Sequence, residues 1–170
     1  MYLSVNKMYS SFDSQLAKSE KNDCVVRSIA SAAEVTYKVA HDFCKNILKR
    51  EDRKGTKNYI ISSTFLMAED KGLELGNKKF DVNVLGKKDI KNRYKVNGDI
   101  IWRQKTLKSF IQTHKTGTYL VMVASHALTV KDGEVLDWGS NAFLPTRKVQ
   151  AAYRLVEKKT SAGRQLSLFE

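Results

Sequence analysis

One pattern near residue 130 restricts the possible folds of this chain more than any other. Residues 118–131 (TYLVMVASHALTVK) are rich in β-branched and aromatic side chains, and the dipeptide Asp132-Gly133 follows them directly. Asp-Gly between two apolar segments is a strong signal for a two-residue β-hairpin turn. The sequence therefore predicts a strand over residues 118–131, this turn, and an antiparallel partner strand over residues 134–138.

The register of this hairpin brings two polar side chains together. A two-residue turn places Leu128 opposite Asp137. Because side chains alternate between the two faces of a strand, His126 and Asp137 then share a face as diagonal neighbours, with Cα atoms about 7 to 8 Å apart. Asp137 can accept a hydrogen bond from the His126 ring across that gap. A three-residue turn would reverse the parity and place Trp138 there instead.

Helical patterns dominate the first half of the chain. An apolar stripe at helical spacing predicts a helix over residues 24–33, with Asn22 or Asp23 as its N-cap. Similar patterns predict further helices over residues 37–49, 59–71 and 104–114. Residues 73–103 give weak strand signals, and a last strand is predicted over residues 149–155. The chain is thus predicted to be one α+β domain of residues 1–156, with N-terminal helices packed on a C-terminal antiparallel sheet.

Cys24 stands where a nucleophile gains most from the backbone. At the start of a helix, unpaired backbone amides and the helix dipole favour a thiolate. A histidine held by an acceptor activates cysteine in acyl-transfer enzymes, and His126 beside Asp137 fits that role. The structural alternative is that Cys24 is a small buried hydrophobic residue and His126 an ordinary strand histidine.

The order of these three residues resembles the papain-like cysteine peptidase superfamily and its peptidase-C39-like members. The segments NDCVVRSIA (22–30) and SHALTVKDGEVLDW (125–138) are similar to small phage-type proteins of that class, over roughly residues 20–156. The resemblance implies a papain-like fold. It also implies that Cys24 is the nucleophile, His126 the general base and Asp137 the orienting acid.

The same resemblance implies a donor that stabilises the oxyanion of the reaction. Papain-like enzymes usually place a glutamine about six residues before the cysteine, and losing one such donor costs about 10² to 10³ in rate. This chain has Lys18 at that position. Asn22 and Gln15 are the candidate substitutes.

A second motif ends the chain. Its pentapeptide QLSLF matches, in every position, the peptide by which polymerases and mismatch-repair proteins dock on the bacterial DNA sliding clamp; its residues are Gln165, Leu166, Ser167, Leu168 and Phe169. By this resemblance, Leu168 and Phe169 anchor the peptide in a hydrophobic pocket. Leu166 adds contact, and Gln165 hydrogen-bonds at the rim. The alternative is an amphipathic strand that completes the core.

The residues before this motif predict its mobility. Residues 157–164 (EKKTSAGR) lack apolar periodicity, which is typical of a flexible linker. Residues 165–170 would then be a docking tail that reaches its pocket independently of the domain.

Charge suggests a further partner. Thirty basic and eighteen acidic residues give a net charge of +12, and residues 45–95 alone hold fourteen basic and seven acidic side chains. Such an excess indicates attraction to DNA or to an acidic protein, unless it serves only to keep the surface solvated. A clamp encircles DNA, so a clamp-bound basic protein would meet phosphates at high effective concentration.

Metal and membrane binding are not expected. The chain has two cysteines, Cys24 and Cys44, and three histidines without a CxxC pair, so we predict no metal and no cofactor, and assign Cys44, His41 and His114 to structural roles. No signal peptide and no apolar run near about 18 residues is present. We therefore expect a monomer with free thiols in the cytoplasm of a bacterial host cell.

These features lead to alternative functions. The first is a phage-type, replication-associated cysteine hydrolase that is tethered to the clamp and acts on a protein near the fork. The second is a non-catalytic adaptor or inhibitor that occupies the clamp pocket and displaces host polymerases. Acyl or amide chemistry on modified DNA bases is a third hypothesis, since a Cys-His-Asp site beside DNA would suit it. No residue pattern specifies the substrate.

Overall fold

A seven-stranded sheet organises the part of the chain that the computed structural model describes, namely residues 2–4, 10–137 and 145–159. Its spatial order is β1 (Tyr2–Ser4), β8 (Glu134–Asp137), β7 (His126–Lys131), β6 (Thr118–Val123), β9 (Val149–Glu157), β3 (Lys78–Val84) and β2 (Leu73–Leu75). The β1–β8 pair is parallel, and the other neighbours are antiparallel. Strands β1, β2 and β3 come before residue 85, so the sheet is not formed by C-terminal strands alone, as was predicted. A separate two-stranded sheet pairs β4 (Lys91–Val96) with β5 (Asp99–Gln104).

Helices lie between and beside these strands. They are α1 (Gln15–Ser19), α2 (Cys24–Ala33), α3 (Tyr37–Asn46), α4 (Asn58–Lys71), α5 (Lys87–Ile90) and α6 (Leu107–Thr113), preceded by a 3-10 turn at Ser10–Asp13. Among the described residues, none of the helices has the length and apolar character that crossing a membrane requires. The chain is therefore of mixed α+β class, as predicted.

Helix α2 is the central helix of the fold. Nine of its ten residues are buried, because it packs against β7 on one side and α3 on the other. Small side chains such as Ala30 and Ala33 permit this close packing on both sides. The helix ends at Ala33, and the capping residue Glu34 adopts a left-handed backbone conformation and donates its N–H to the carbonyl of Ala30.

The sheet has an apolar core on each face. One core contains α2, α3 and α4 together with Leu120 and Met122 of β6. The other contains α6 with the alternate residues of the same strand, Val121 and Val123. Strand β6 is therefore buried on both faces, which explains why its sequence is a continuous apolar run rather than an alternating one.

The prediction of one strand over residues 118–131 was wrong. The segment folds back at Ala124 and Ser125 to form two strands, with Val123 paired to His126. Ser125 has a φ of +56°, a conformation that turn-forming residues such as Gly or Asn adopt more readily. Neither Gly nor Asn marks this turn in the sequence.

The other predicted elements are present, most of them with shifted ends. Helix α2 has the predicted bounds, whereas the helix predicted over residues 37–49 ends at Asn46. Helix α6 begins later than predicted because Thr106 caps it, accepting a hydrogen bond from the Ser109 N–H at 3.1 Å. The last strand continues to Glu157. The predicted docking tail, residues 165–170, and the linker from residue 160 onward lie outside the described residues.

Candidate active site

Cys24 is the first residue of α2 and is partly buried. Asp23 holds the N-cap position, yet its carboxylate does not cap the helix. It accepts hydrogen bonds from Arg27 Nε at 2.8 Å and from the Tyr37 hydroxyl at 2.6 Å. The first backbone N–H groups of a helix have no acceptor within the helix. In α2 the Asp23 side chain does not accept from them, and they lie beside the Cys24 side chain.

The Asp23–Arg27 pair also fixes the segment before the helix. Arg27 Nη2 donates to the Ala17 carbonyl at 3.1 Å, and its guanidinium lies over the rings of Phe12 and Tyr37 at 5.4 and 5.2 Å. Burial, followed by the hydrogen bond to Asp23, raises the pKa of Tyr37 well above its usual range, so the hydroxyl stays protonated. This buried network holds the start of α2 in place.

The predicted partners meet on the adjacent hairpin. His126 opens β7 and Asp137 ends β8, and the turn at Asp132-Gly133 pairs Lys131 with Glu134 as predicted. His126 Nε2 lies 2.8 Å and 3.0 Å from the two oxygens of Asp137. A carboxylate only accepts, so Nε2 carries the proton and donates it. The side chains are 16% and 10% exposed, which limits screening of the pair by water.

Cys24 completes the group. The hydrogen bond to Asp137, followed by a hydrogen bond to Cys24, raises the pKa of His126 to about 9, although burial acts in the opposite direction. Because His126 Nε2 donates its proton to the Asp137 carboxylate, the other ring nitrogen, Nδ1, is the one available to the Cys24 thiol. The structure therefore brings Cys24, His126 and Asp137 together, with an imidazolium favoured at neutral pH.

The side chains of Cys24 and His126 line a cleft of about 280 Å³. It is lined by Asn22, Cys24, Val25, Gly55, Thr56, Asn58, Met122, Ser125 and His126. The walls come from the loop before α4, from the start of α2, and from the turn between β6 and β7. A group entering the cleft would meet the sulfur and the imidazole at once.

Of the two candidate oxyanion donors, Asn22 lines this cleft. Its φ is +53°, and its side-chain Nδ2 donates to the Arg53 carbonyl at 3.3 Å. An amide nitrogen has two protons, so one remains for a ligand. Gln15 and Lys18 are exposed residues of α1, and neither forms part of the cleft wall.

A second buried cluster, which the sequence did not reveal, supports the loop of the cleft. Glu20 accepts hydrogen bonds from Arg50 Nη2 at 2.8 Å, from the Arg53 N–H at 3.0 Å and from His41 Nε2 at 3.2 Å. Burial alone would raise the pKa of Glu20, but these donors outweigh it and hold the pKa below its usual value. His41 therefore has the predicted structural environment.

Part of this cluster has the geometry of a metal site but not its charge. Ligand atoms of Glu20, His41 and Asp52 lie within 4.8 Å of one another. However, Glu20 forms an ion pair with Arg50, and Asp52 forms one with Lys45, whose Nζ lies 3.0 Å from the carboxylate. These two cations neutralise the carboxylates that a divalent ion would need.

The remaining cysteine and histidine have structural surroundings. Burial raises the pKa of the Cys44 thiol to about 12, and both cysteines are free. His114 stacks on Phe110 with ring centroids 4.1 Å apart, and burial lowers its pKa. Burial therefore disfavours a reactive thiolate at Cys44, and His114 Nδ1 lies 3.0 Å from the Phe110 carbonyl.

Comparisons with family models, curated proteins and solved structures give no match. The function must therefore be inferred from the residues of the site and their geometry.

Proposed function

We propose that this protein is a cysteine hydrolase of the papain-like type. The observation that supports it is the placement of His126, which is held by Asp137 at 2.8 Å and lines one cleft with Cys24 at the start of a buried helix. A buried helix that presents a cysteine to a strand carrying histidine fits the papain-like resemblance of the sequence.

In the first half of the proposed reaction, Cys24 is acylated and His126 transfers a proton to the leaving group. The Cys24 thiolate attacks a carbonyl carbon, a C–S bond forms, and the carbonyl electron pair moves onto oxygen. Backbone amides at the start of α2 and the Asn22 side chain are the donors for this oxyanion. As the tetrahedral intermediate collapses, the His126 imidazolium gives its proton to the leaving group, whose bond to carbon breaks.

The second half reverses these roles. Neutral His126 takes a proton from water, and the resulting hydroxide attacks the thioester carbon. The C–S bond breaks, the acid product leaves, and the thiolate and imidazolium are restored. Asp137 keeps Nε2 protonated throughout, so that Nδ1 is the nitrogen that exchanges the proton.

A small activated ester such as p-nitrophenyl acetate tests this proposal without knowledge of the natural substrate. We expect release of p-nitrophenol by the full chain, with the rate constant falling about 10²-fold or more in His126→Ala. Cys44→Ala is the matched control and should retain the rate. Equal rates in Cys24→Ala and the parent chain would refute the assignment of the nucleophile.

We further propose that the QLSLF tail docks the protein on the bacterial sliding clamp, which would make it a replication-associated protein of phage type. The described chain ends at Lys159, and eleven residues follow it. Residues 160–164 precede the motif, and five residues span at most about 18 Å when fully extended. The support for this proposal is the match of the motif.

Purified clamp tests the tail directly. The full chain should bind, whereas a chain ending at Arg164 should not, and Leu168→Ala with Phe169→Ala should abolish binding. Binding of both chains with equal affinity would contradict the proposal. The readout does not involve Cys24, so the two proposals fail separately.

The second candidate is a non-catalytic clamp-binding adaptor or inhibitor with a basic DNA-binding surface. It is favoured by Lys18 at the position of the expected glutamine and by the use of Asn22 Nδ2 for the Arg53 carbonyl. Under this function Cys24→Ala would leave the effect on replication unchanged, and deletion of residues 165–170 would abolish it.

A further inference from the structure

The β4–β5 hairpin stands apart from the main sheet and concentrates positive charge. Asn97 and Gly98 form its two-residue turn, with φ of +50° and +89°, the left-handed pair that a twisted hairpin requires. Val96 and Ile100 beside the turn are 43% and 50% exposed. No other strand of the described chain pairs with this hairpin. The pairing register of its two strands shows which side chains lie on each of its faces.

Directly opposed residues share a face of the hairpin. The register pairs Lys91 with Gln104, Arg93 with Trp102, and Lys95 with Ile100 on one face. Lys87 of α5 joins them, because its Nζ lies 4.8 Å from the centre of the Trp102 ring. We call the surface formed by Lys87, Lys91, Arg93, Lys95 and Trp102 the basic face.

The opposite face differs in character. It carries Asn92 opposite Arg103, Tyr94 opposite Ile101, and Val96 opposite Asp99. Asn92 contacts Ser109 of α6 at 3.4 Å, so the base of this face rests on the domain. The one carboxylate of the hairpin, Asp99, thus lies away from the basic face.

The cations of the basic face are not neutralised. Within the described residues, no ion pair joins Lys87, Lys91, Arg93 or Lys95 to a carboxylate. The nearby carboxylate of Asp89 accepts from the Gly86 N–H and belongs to the cap of α5. Elsewhere surface lysines do have acidic partners; examples are Lys38 with Asp42, Lys45 with Asp52, Lys79 with Glu74 and Lys158 with Asp81.

We propose that the basic face binds the phosphate backbone of duplex DNA. Lys91, Arg93 and Lys95 repeat at every second residue of one strand, about 7 Å apart, which suits a linear polyanion with regularly spaced charges. A two-stranded ribbon also fits the major groove of B-DNA. Gln104 is the single amide side chain on the face, so we expect positioning on phosphates rather than reading of bases.

The salt dependence of binding gives a quantitative test. Four phosphate contacts on B-DNA predict a slope of about −3.6 for log affinity against log salt, and about −2.8 on a single strand. Raising salt from about 50 to about 200 mM should therefore weaken duplex binding about 150-fold.

Fluorescence anisotropy of the full chain with a labelled duplex measures this slope. In the triple variant Lys91→Gln, Arg93→Gln, Lys95→Gln, we expect the slope to fall to about −0.9. The matched control removes the same charge at Lys38, Lys45 and Lys79 and should keep the slope near −3.6. If the triple variant melts early, Arg93→Gln or Lys95→Gln alone should each reduce the slope by about 0.9.

Two outcomes would overturn the inference. The first is an unchanged slope in the hairpin variants, or an equal loss in the control. The second is tighter binding to a single strand of the same length, or to poly-glutamate of equal charge, than to the duplex. Cys24→Ala should bind DNA like the parent chain, so this test is independent of the proposed hydrolase.

Discussion

Replacing Asp137 by Asn should sharply change the reactivity of Cys24. The pKa of His126 rises from 6.5 to about 9 in this structure, a difference that corresponds to about 3 kcal/mol in favour of the imidazolium. The hydrogen bond to Asp137 is its largest cause. Without that carboxylate, burial should return the pKa of His126 toward or below 6.5, and neutral imidazole should predominate at pH 7.

The size of the effect on the thiol can be estimated. A positive charge beside a cysteine sulfur favours the reactive thiolate form, and a cysteine without such a neighbour is only a few per cent thiolate at pH 7. Loss of the imidazolium should therefore slow alkylation, by at most about 30-fold, which is the limit for complete conversion between the two forms. The same reasoning predicts a similar loss in His126→Ala.

Iodoacetamide alkylation between pH 5 and 9, followed by mass spectrometry, measures this without a substrate. Cys44 should stay unmodified, because it is fully buried and its pKa is raised to about 12. Asp132→Asn is the matched control on the same hairpin, since Asn also tolerates the φ of +48° at that position. Equal alkylation rates at pH 7 in Asp137→Asn and the parent chain would refute the coupling of Asp137, His126 and Cys24.

Other perturbations test the rest of the site. Tyr37→Phe removes a hydrogen bond from the buried Asp23 and should lower the free energy of unfolding by about 1 to 3 kcal/mol in urea titration; no change would show that the network does not hold α2. Arg50→Met leaves Glu20 buried without its ion pair and should lower the free energy of unfolding by about 3 to 5 kcal/mol. An unchanged free energy of unfolding would show that this ion pair does not stabilise the fold. The His126 pair stabilises the fold fully below pH 6.5, and this contribution should disappear as pH rises through about 9. Unfolding of the parent chain against His126→Gln over that range measures it, and a constant difference would contradict the raised pKa.

The predictable part of the site came from local turn chemistry. Asp132-Gly133 fixes a two-residue turn, and the turn fixes which side chains share a face, so the approach of His126 to Asp137 followed from a few residues of sequence. The start of α2 at Cys24 was equally local, because an apolar helical stripe begins there. Both signals act over short sequence separations.

The missed features depend on contacts that are distant in sequence. Glu20 and Arg50 pair across thirty positions with no periodic pattern to join them. The turn at Ala124 and Ser125 contains neither Gly nor Asn, so we attribute it to the packing of β6 and β7. The β4–β5 hairpin is different, since Asn97-Gly98 is a strong turn signal that was available in the sequence.

Intact-mass analysis of the full chain, quenched during reaction with p-nitrophenyl acetate, tests the Cys24–His126–Asp137 assignment at the level of the covalent intermediate. We predict one acetyl group per chain, located on Cys24 by peptide mapping, and its slow formation in His126→Ala. Acetylation of other residues with Cys24 unmodified, or acylation of Cys24 at the same rate without His126, would contradict the proposed hydrolase.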